Sequence, residues 1–350
     1  MSTAFKKQFG GKVRRQDLEK LEKSKYWKDG KFENFIETKM DITLSKLPKM
    51  LKDSFTGKAD RAPKENLNIL PFDAIAFDSS DLEPKFIWYG HSVCLLQLNG
   101  KNLLIDPMLG QNASPIAPFA TKRFSENSLG IIDRLPEIDA VLMTHDHYDH
   151  LDLDSIEKLR PLVNRWFVAL GVSRHLEKWK IPASHITEFD WWDELDFENI
   201  KITFTPSRHF SGRGAFDRAK SLWGGWVFKT DTSNIYWSGD GGIGPHFKEI
   251  GEKLGPFDFG FIECGQYNEN WHAIHMYPEE SVQAALDAKV NVATIVHWAG
   301  FSLAMHHWKE PIERFSAEAE KQSLEMCTPK IGEVVKLKNL PQEAWWKNYK

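Results

Sequence analysis

The chain has 350 residues, of which 41% are hydrophobic, with a formal net charge of -4 and a pI of about 6.4. Such a length can bury a sizeable core in one large or two modest domains, and the near-neutral balance excludes a dedicated nucleic-acid surface, which needs a strongly basic face. The three cysteines, Cys94, Cys264 and Cys327, stand far apart without a CxxC pair, so neither a disulfide framework nor a thiolate zinc site is expected, and all three read as reduced, buried thiols.

Residues 1–83 hold 17 Lys and Arg against 14 Asp and Glu, a net of +3 that leaves -7 on the remaining 267 residues. The first residues contain no apolar core of a signal peptide, and no run of ~18 apolar residues occurs anywhere, so a cytoplasmic, non-spanning protein is expected. Within residues 1–83, "RRQDLEKLEKSKYW" and "LSKLPKMLKDSF" set basic and apolar residues at helical spacing. The expectation is a helical extension packed on the core; a membrane-surface or lid element is the alternative.

From Lys85 the texture changes. "FIWYGHSVCLLQLNGKNLLIDP" reads as two strands separated by Asn99-Gly100, the strongest short hairpin signal. Further strand-like runs then end in polar, ligand-type residues and are followed by helix-like runs. "IDAVLMT" leads into a histidine-rich loop, after which "DLDSIEKL" opens with an Asp suited to N-capping. "IYWSGD" ends at Asp240, and "VATIVH" ends at His297 after the helix "PEESVQAALDAK", which has Pro278 at its start. Strands alternating with helices imply an α/β layer architecture with functional groups at strand ends. Residues 84–350 are expected to form that domain, with 1–83 as an extension, and the domain has room for two similar β-rich halves.

The loop "MTHDHYDHLD" packs three histidines and three aspartates into ten positions. A tight turn there can aim His145 and His147 at one point and Asp149 and His150 at a second, so one loop can hold two metal ions. Imidazole suits Zn, Fe, Ni and Cu, while a carboxylate extends the choice to Mn and can bridge ions. One loop cannot complete two coordination spheres. His209 in "TPSRHFSGR", Asp240 in "SGDGG" and His297 in "IVHWAG" are the candidates for the rest; each alone reads as a structural polar residue, and their order is what changes that reading.

HxHxDH followed by a lone His, a Gly-Asp pair and a late strand-terminal His resembles the metallo-β-lactamase superfamily. Within it the chain is similar to the family of N-acylphosphatidylethanolamine-hydrolysing phospholipase D and its bacterial relatives, through "GHSV", "LLIDP", "LPEIDAVLMTHDHYDHLD", "FTPSRH", "LWGGWV", "HMYPEE" and "HWAGFSLA" in order, from about residue 65 onward. The resemblance implies an αββα sandwich, two facing β-sheets with outer helices, and a dinuclear site at one edge. It gives His145, His147 and His209 to one ion, Asp149, His150 and His297 to the other, and Asp240 to both. The ions implied are two divalent metals, zinc first, with iron or manganese as alternatives. Asp149, Asp240 and His275 would be catalytic, and Asp106 and His91 would support the ligands from behind. In "HMYPEE" Tyr277 stands where the family usually has Asp, which leaves the local role of His275 open.

The activity implied is phosphodiester hydrolysis of phospholipase D type on N-acylated phosphatidylethanolamine-like lipids through a metal-bound hydroxide. The partners implied are a small-molecule or phospholipid substrate and the inner face of a membrane, met peripherally. The alternatives are hydrolysis of a lactone or a soluble phosphodiester, and a non-catalytic metal-stabilised binding protein; retention of all seven ligands argues against the last. Trp191, Trp192, Trp223, Trp226, Trp271 and Trp298 flank the inferred site. Most are expected in the core, yet an apolar entrance would suit acyl chains. His272, His306 and His307 read as surface or helix-cap residues, and Cys264 as a small buried hydrophobe.

Overall fold

The computed structural model describes residues 7–41, 45–46, 48–49, 52, 60–78, 80, 82–114, 121–214 and 216–350. The second basic and apolar stretch, residues 44–55, lies largely outside the described residues. The first contains a helix, α1 (Arg15–Leu21), followed by a small hairpin of β1 (Trp27–Lys28) and β2 (Lys31–Phe32).

Two seven-stranded mixed sheets make the body of the protein. The first contains β3 (Lys85–Trp88), β4 (Cys94–Leu98), β5 (Lys101–Ile105), β6 (Ala140–Met143), β7 (Trp166–Ala169) and β8 (Ile186–Phe189) in sequence order. The second contains β9 (Glu194–Phe197), β10 (Ile200–Thr205), β11 (Gly225–Lys229), β12 (Asn234–Trp237), β13 (Phe257–Glu263), β14 (Val290–Val296) and β15 (Glu325–Met326). The chain then returns to add β16 (Val334–Lys336) beside β3. Each half starts with antiparallel strands and continues with parallel ones. The expectation of two similar β-rich halves is met in that shared progression.

Parallel neighbours need crossovers, and helices supply them. These are α2 (Leu153–Leu159), α3 (Ser173–Lys178), α4 (His246–Lys253), α5 (Pro278–Asp287) and α6 (Glu310–Gln322), while the β5–β6 crossover carries, among the described residues, the 3-10 segment Ser128–Arg134. Asp152 caps α2 by accepting from the Ser155 amide at 3.0 Å, as its position suggested. The apolar runs of β3, β4, β6 and β7 are buried throughout, as expected for strands covered on both faces. Between the sheets Phe86 packs against Phe261 with ring centroids 4.9 Å apart, and Phe189 against Trp226 at 5.1 Å.

One element differs from the sequence expectation. The stretch read as two strands around Asn99-Gly100 is three, because Gly90 (φ 82°) and His91 (φ 55°) turn the chain between β3 and β4. The hairpin at Asn99-Gly100 itself joins β4 to β5, both turn residues having positive φ. Leu21, Phe32, Leu67 and Phe77 of the first 83 residues are buried in the same apolar core as the sheets. Among the described residues no helix is long and apolar enough to cross a membrane.

Candidate metal centre

The parallel strands point their C-terminal ends at one edge of the sandwich, where open α/β sheets place ligand sites. Asp106 follows β5, His145 to His150 follow β6, His209 lies beyond β10, Asp240 beyond β12, and His297 directly follows β14. Residues spread over about 200 positions thus meet in one place.

Donor atoms of His145, His147 and His209 lie within 4.8 Å of one another, as do those of His91, Asp149, His150 and His297. Asp240 joins the two groups through His145 and His150. His147 Nδ1 is 2.9 Å from His145 Nε2 and 3.2 Å from His209 Nε2. Asp240 Oδ2 is 3.0 Å from His150 Nε2, 3.3 Å from His297 Nε2 and 4.0 Å from His145 Nε2. Two nitrogens at ~2.1 Å from one tetrahedral ion stand about 3.4 Å apart, so the spacing of these imidazoles fits a shared cation.

The other ring nitrogens are occupied in the way a ligand requires. His209 Nδ1 donates to the Ile274 carbonyl at 3.1 Å, which leaves Nε2 bare toward the centre. His150 Nδ1 faces Asp106 Oδ2 at 2.9 Å, and His297 Nδ1 faces the Ser92 hydroxyl at 3.2 Å. Burial holds His145, His209 and His297 well below the usual imidazole range, so they are neutral, the form that binds metal. Burial alone would raise Asp149 and Asp240, but the imidazoles beside them, His150 first, outweigh it and hold both well below the usual carboxylate range, while Asp240, Asp149 and Asp106 in turn hold His150 well above the imidazole range against its own burial.

Asp106 is fully buried and accepts from the Thr144 amide at 2.8 Å and the Thr144 hydroxyl at 2.7 Å, besides facing His150. His91 stands behind Asp149, with Nε2 3.0 Å from Oδ2. Asp106 thus touches His150, and His91 touches Asp149. His275 brings a ring nitrogen within 4.8 Å of donor atoms of His209 and Asp240.

Two residues were not singled out from sequence. Glu263, the last residue of β13, is fully buried with Oε1 3.0 Å from His275 Nδ1. Burial raises its pKa to about 7, and its hydrogen bond to His275 outweighs that imidazole's own burial and shifts it upward. The only signal for Glu263 was its place at a strand end. Asp146, between His145 and His147, accepts from the Gly212 amide at 2.7 Å, His175 Nε2 at 3.1 Å, Arg174 Nη2 at 3.4 Å and the Ser221 hydroxyl. It ties the histidine loop to α3 and to the loop that carries His209.

A cavity of about 600 Å³ opens beside His209. Phe32, Phe35, Phe210, Trp223 and Ile274 give it apolar walls, and its charged lining is Lys31, Lys39 and Arg218 with Glu33 and Glu37, of which Glu37 pairs with Lys39. Of the six tryptophans that flank the motifs, only Trp223 lines this cavity; Trp191, Trp226 and Trp298 are buried in the core. His272 pairs with Glu280 at 2.7 Å, His306 accepts from the Gln266 amide at 3.0 Å and His307 from the Lys309 amide at 3.1 Å, so all three brace loops. Cys264 is buried and its Sγ faces the Pro311 carbonyl.

The model of the beta-lactamase superfamily domain matches residues 101–298. An uncharacterized protein of Mycobacterium tuberculosis is 34% identical over 337 residues, covering 93% of this chain and 88% of that protein. The N-acyl-phosphatidylethanolamine-hydrolyzing phospholipase D 1 of Caenorhabditis elegans is 30% identical over 265 residues, 71% of this chain and 74% of that protein. A solved metallo hydrolase from Ignicoccus hospitalis shares the fold with a TM-score of 0.57 at 19% identity, over 72% of this chain and 97% of that one. With the family model spanning more than half of the chain and the His and Asp cluster gathered at the sheet edge, the protein belongs to the metallo-β-lactamase superfamily, as a metal-dependent hydrolase of that fold.

Proposed function

We propose that the protein is a dinuclear phosphodiesterase of phospholipase D type, acting on N-acylated phosphatidylethanolamine-like lipids at a membrane surface that it meets peripherally. The observation that carries this reading is the cavity at His209, whose aromatic walls suit an acyl chain and whose Lys31 and Arg218 suit an anionic headgroup, Lys39 being paired with Glu37. Its volume is in the range of small-molecule pockets, so it receives a headgroup and part of one chain while the rest of a lipid stays in the bilayer. The likeness to the Caenorhabditis elegans phospholipase D supports the same substrate class.

In this reading His145, His147 and His209 hold one ion, Asp149, His150 and His297 the other, and Asp240 stands between them. Two divalent ions there would supply Lewis acidity to a phosphoryl oxygen and to the attacking water. Two carboxylates leave half of their charge uncompensated, which favours an anionic phosphodiester. His275, with Nδ1 held by Glu263, presents Nε2 to the substrate, where it orients the phosphate or protonates the leaving oxygen. Asp106 and His91 fix the orientation of His150 and Asp149. Residues 1–83 act as an extension of the hydrolase domain 84–350 and supply one wall of the cavity through residues 31–40.

The test is kcat/KM for a long-chain N-acylated phosphatidylethanolamine in mixed micelles against bis(p-nitrophenyl) phosphate. A preference of ~10-fold or more for the lipid, worth about 1.4 kcal/mol, is expected. Equal turnover of the soluble diester, or of a lactone, tells against the lipid substrate.

A further inference from the structure

His209 lies between β10 and β11, outside any strand. Its backbone N–H and C=O therefore have no ladder partner, although the residue is buried, and each must be satisfied elsewhere. Both are satisfied by one side chain from the other end of the sequence. The His209 amide donates to Asn34 Oδ1 at 3.1 Å, and Asn34 Nδ2 donates to the His209 carbonyl at 2.7 Å.

The orientation of that carboxamide is set by a third partner, since the Trp223 indole, a donor only, gives its N–H to Asn34 Oδ1 at 3.2 Å and to the Ser207 carbonyl at 3.1 Å. Its neighbours extend the grip. Arg208 donates to the Thr38 hydroxyl at 3.1 Å and the Glu37 carbonyl at 3.0 Å, and the Phe32 amide donates to the Ala219 carbonyl at 2.8 Å. Residues 32–38 thus strap the loop on both sides of His209. With Nδ1 on the Ile274 carbonyl, every hydrogen-bonding group of His209 except Nε2 is held, and two of those three are held by Asn34.

We propose that Asn34 is a positioning residue of the metal centre: by clamping both backbone groups of His209 it sets where Nε2 stands beside His145 and His147. This rests on the assignment of His209 as a ligand. The side-chain amide offers a donor and an acceptor on two separate atoms at one end, so it can meet an N–H and a C=O at once. Alanine removes both, and aspartate removes the donor while setting a carboxylate oxygen against the His209 carbonyl. Groups that orient a ligand from behind carry 10–100-fold in metal affinity, and a ~10-fold loss or more is expected for one ion when Asn34 is changed.

The experiment is titration of the full-length, chelator-stripped protein with Zn(II) against a competing chelator, for the parent chain, Asn34→Ala, Asn34→Asp and His209→Ala. The inference expects both Asn34 variants to lose ~10-fold or more at the ion that His209→Ala also weakens, with the second ion unchanged. Asn34→Asp, which keeps the volume and one acceptor, carries the comparison if the alanine variant does not fold. Parent-like affinity for both ions in the Asn34 variants, with one ion lost in His209→Ala, overturns the role of Asn34 alone. Parent-like binding in His209→Ala overturns the ligand assignment beneath it.

Discussion

Asp106 Oδ2 lies 2.9 Å from His150 Nδ1, at the buried junction of β5 and the histidine loop. The carboxylate fixes which imidazole nitrogen faces the centre. Asp106→Asn still accepts from the Thr144 amide, but an NH₂ group in place of Oδ2 cannot accept a proton from His150. Affinity for one ion is expected to fall by about 10–100-fold with the fold intact. Chelator competition with Zn(II) checks this, and parent-like affinity tells against the role given to Asp106.

Asp240 is the carboxylate nearest to both groups of ligands. Asp240→Asn is expected to lower hydrolysis by ~10³-fold or more, about 4 kcal/mol in the barrier, while the near-ultraviolet circular dichroism stays that of the parent. Near-normal turnover at saturating metal would show that Asp240 does not act between the two ions.

His246, at the start of α4, is buried against Phe35 and Phe247, and neither of its ring nitrogens has a hydrogen-bond partner among the described residues. Burial, with a smaller contribution from the Arg208 charge, lowers its pKa to about 3. Above the unfolded value of ~6.5 both states are neutral and the group has no effect. As the pH falls from ~6.5 toward 3 the unfolded chain takes up a proton that the folded one refuses, so stability is lost by up to about 1.4 kcal/mol per unit. His246→Phe is expected to be less acid-sensitive than the parent by roughly 1–3 kcal/mol at pH 4.5. Urea unfolding at pH 7 and pH 4.5 measures the difference, and identical losses in both proteins contradict it.

Gly265 follows Glu263 and Cys264 at the end of β13, and a Cβ there would fall 2.3 Å from the His297 carbonyl oxygen. Backbone cannot yield as a flexible side chain can. Gly265→Ala is expected to cost about 1–3 kcal/mol or more and to displace His297, the residue after β14. Thermal unfolding of the metal-free protein checks the first part, and Zn(II) affinity the second.

The parts of the site that were legible in sequence are local or sit at strand ends. His145, His147, Asp149 and His150 fall in six consecutive positions, and Asp240 and His297 each close an apolar run. Glu263 also ends a strand, yet a single acid there looks like any strand terminus until His275 folds back onto it. Asn34 is separated from His209 by 175 positions, and nothing in its own neighbourhood marks it. The turn at Gly90-His91 was hidden because the residues on either side form a nearly continuous apolar run, which periodicity alone does not divide.

The central claim is that seven side chains, His145, His147, Asp149, His150, His209, Asp240 and His297, hold two metal ions. Elemental analysis of the purified protein by inductively coupled plasma mass spectrometry tests it most directly. The account predicts close to two transition-metal ions per chain, restored after stripping by adding Zn, Mn or Fe. A reproducible content near zero that none of these metals restores would contradict it.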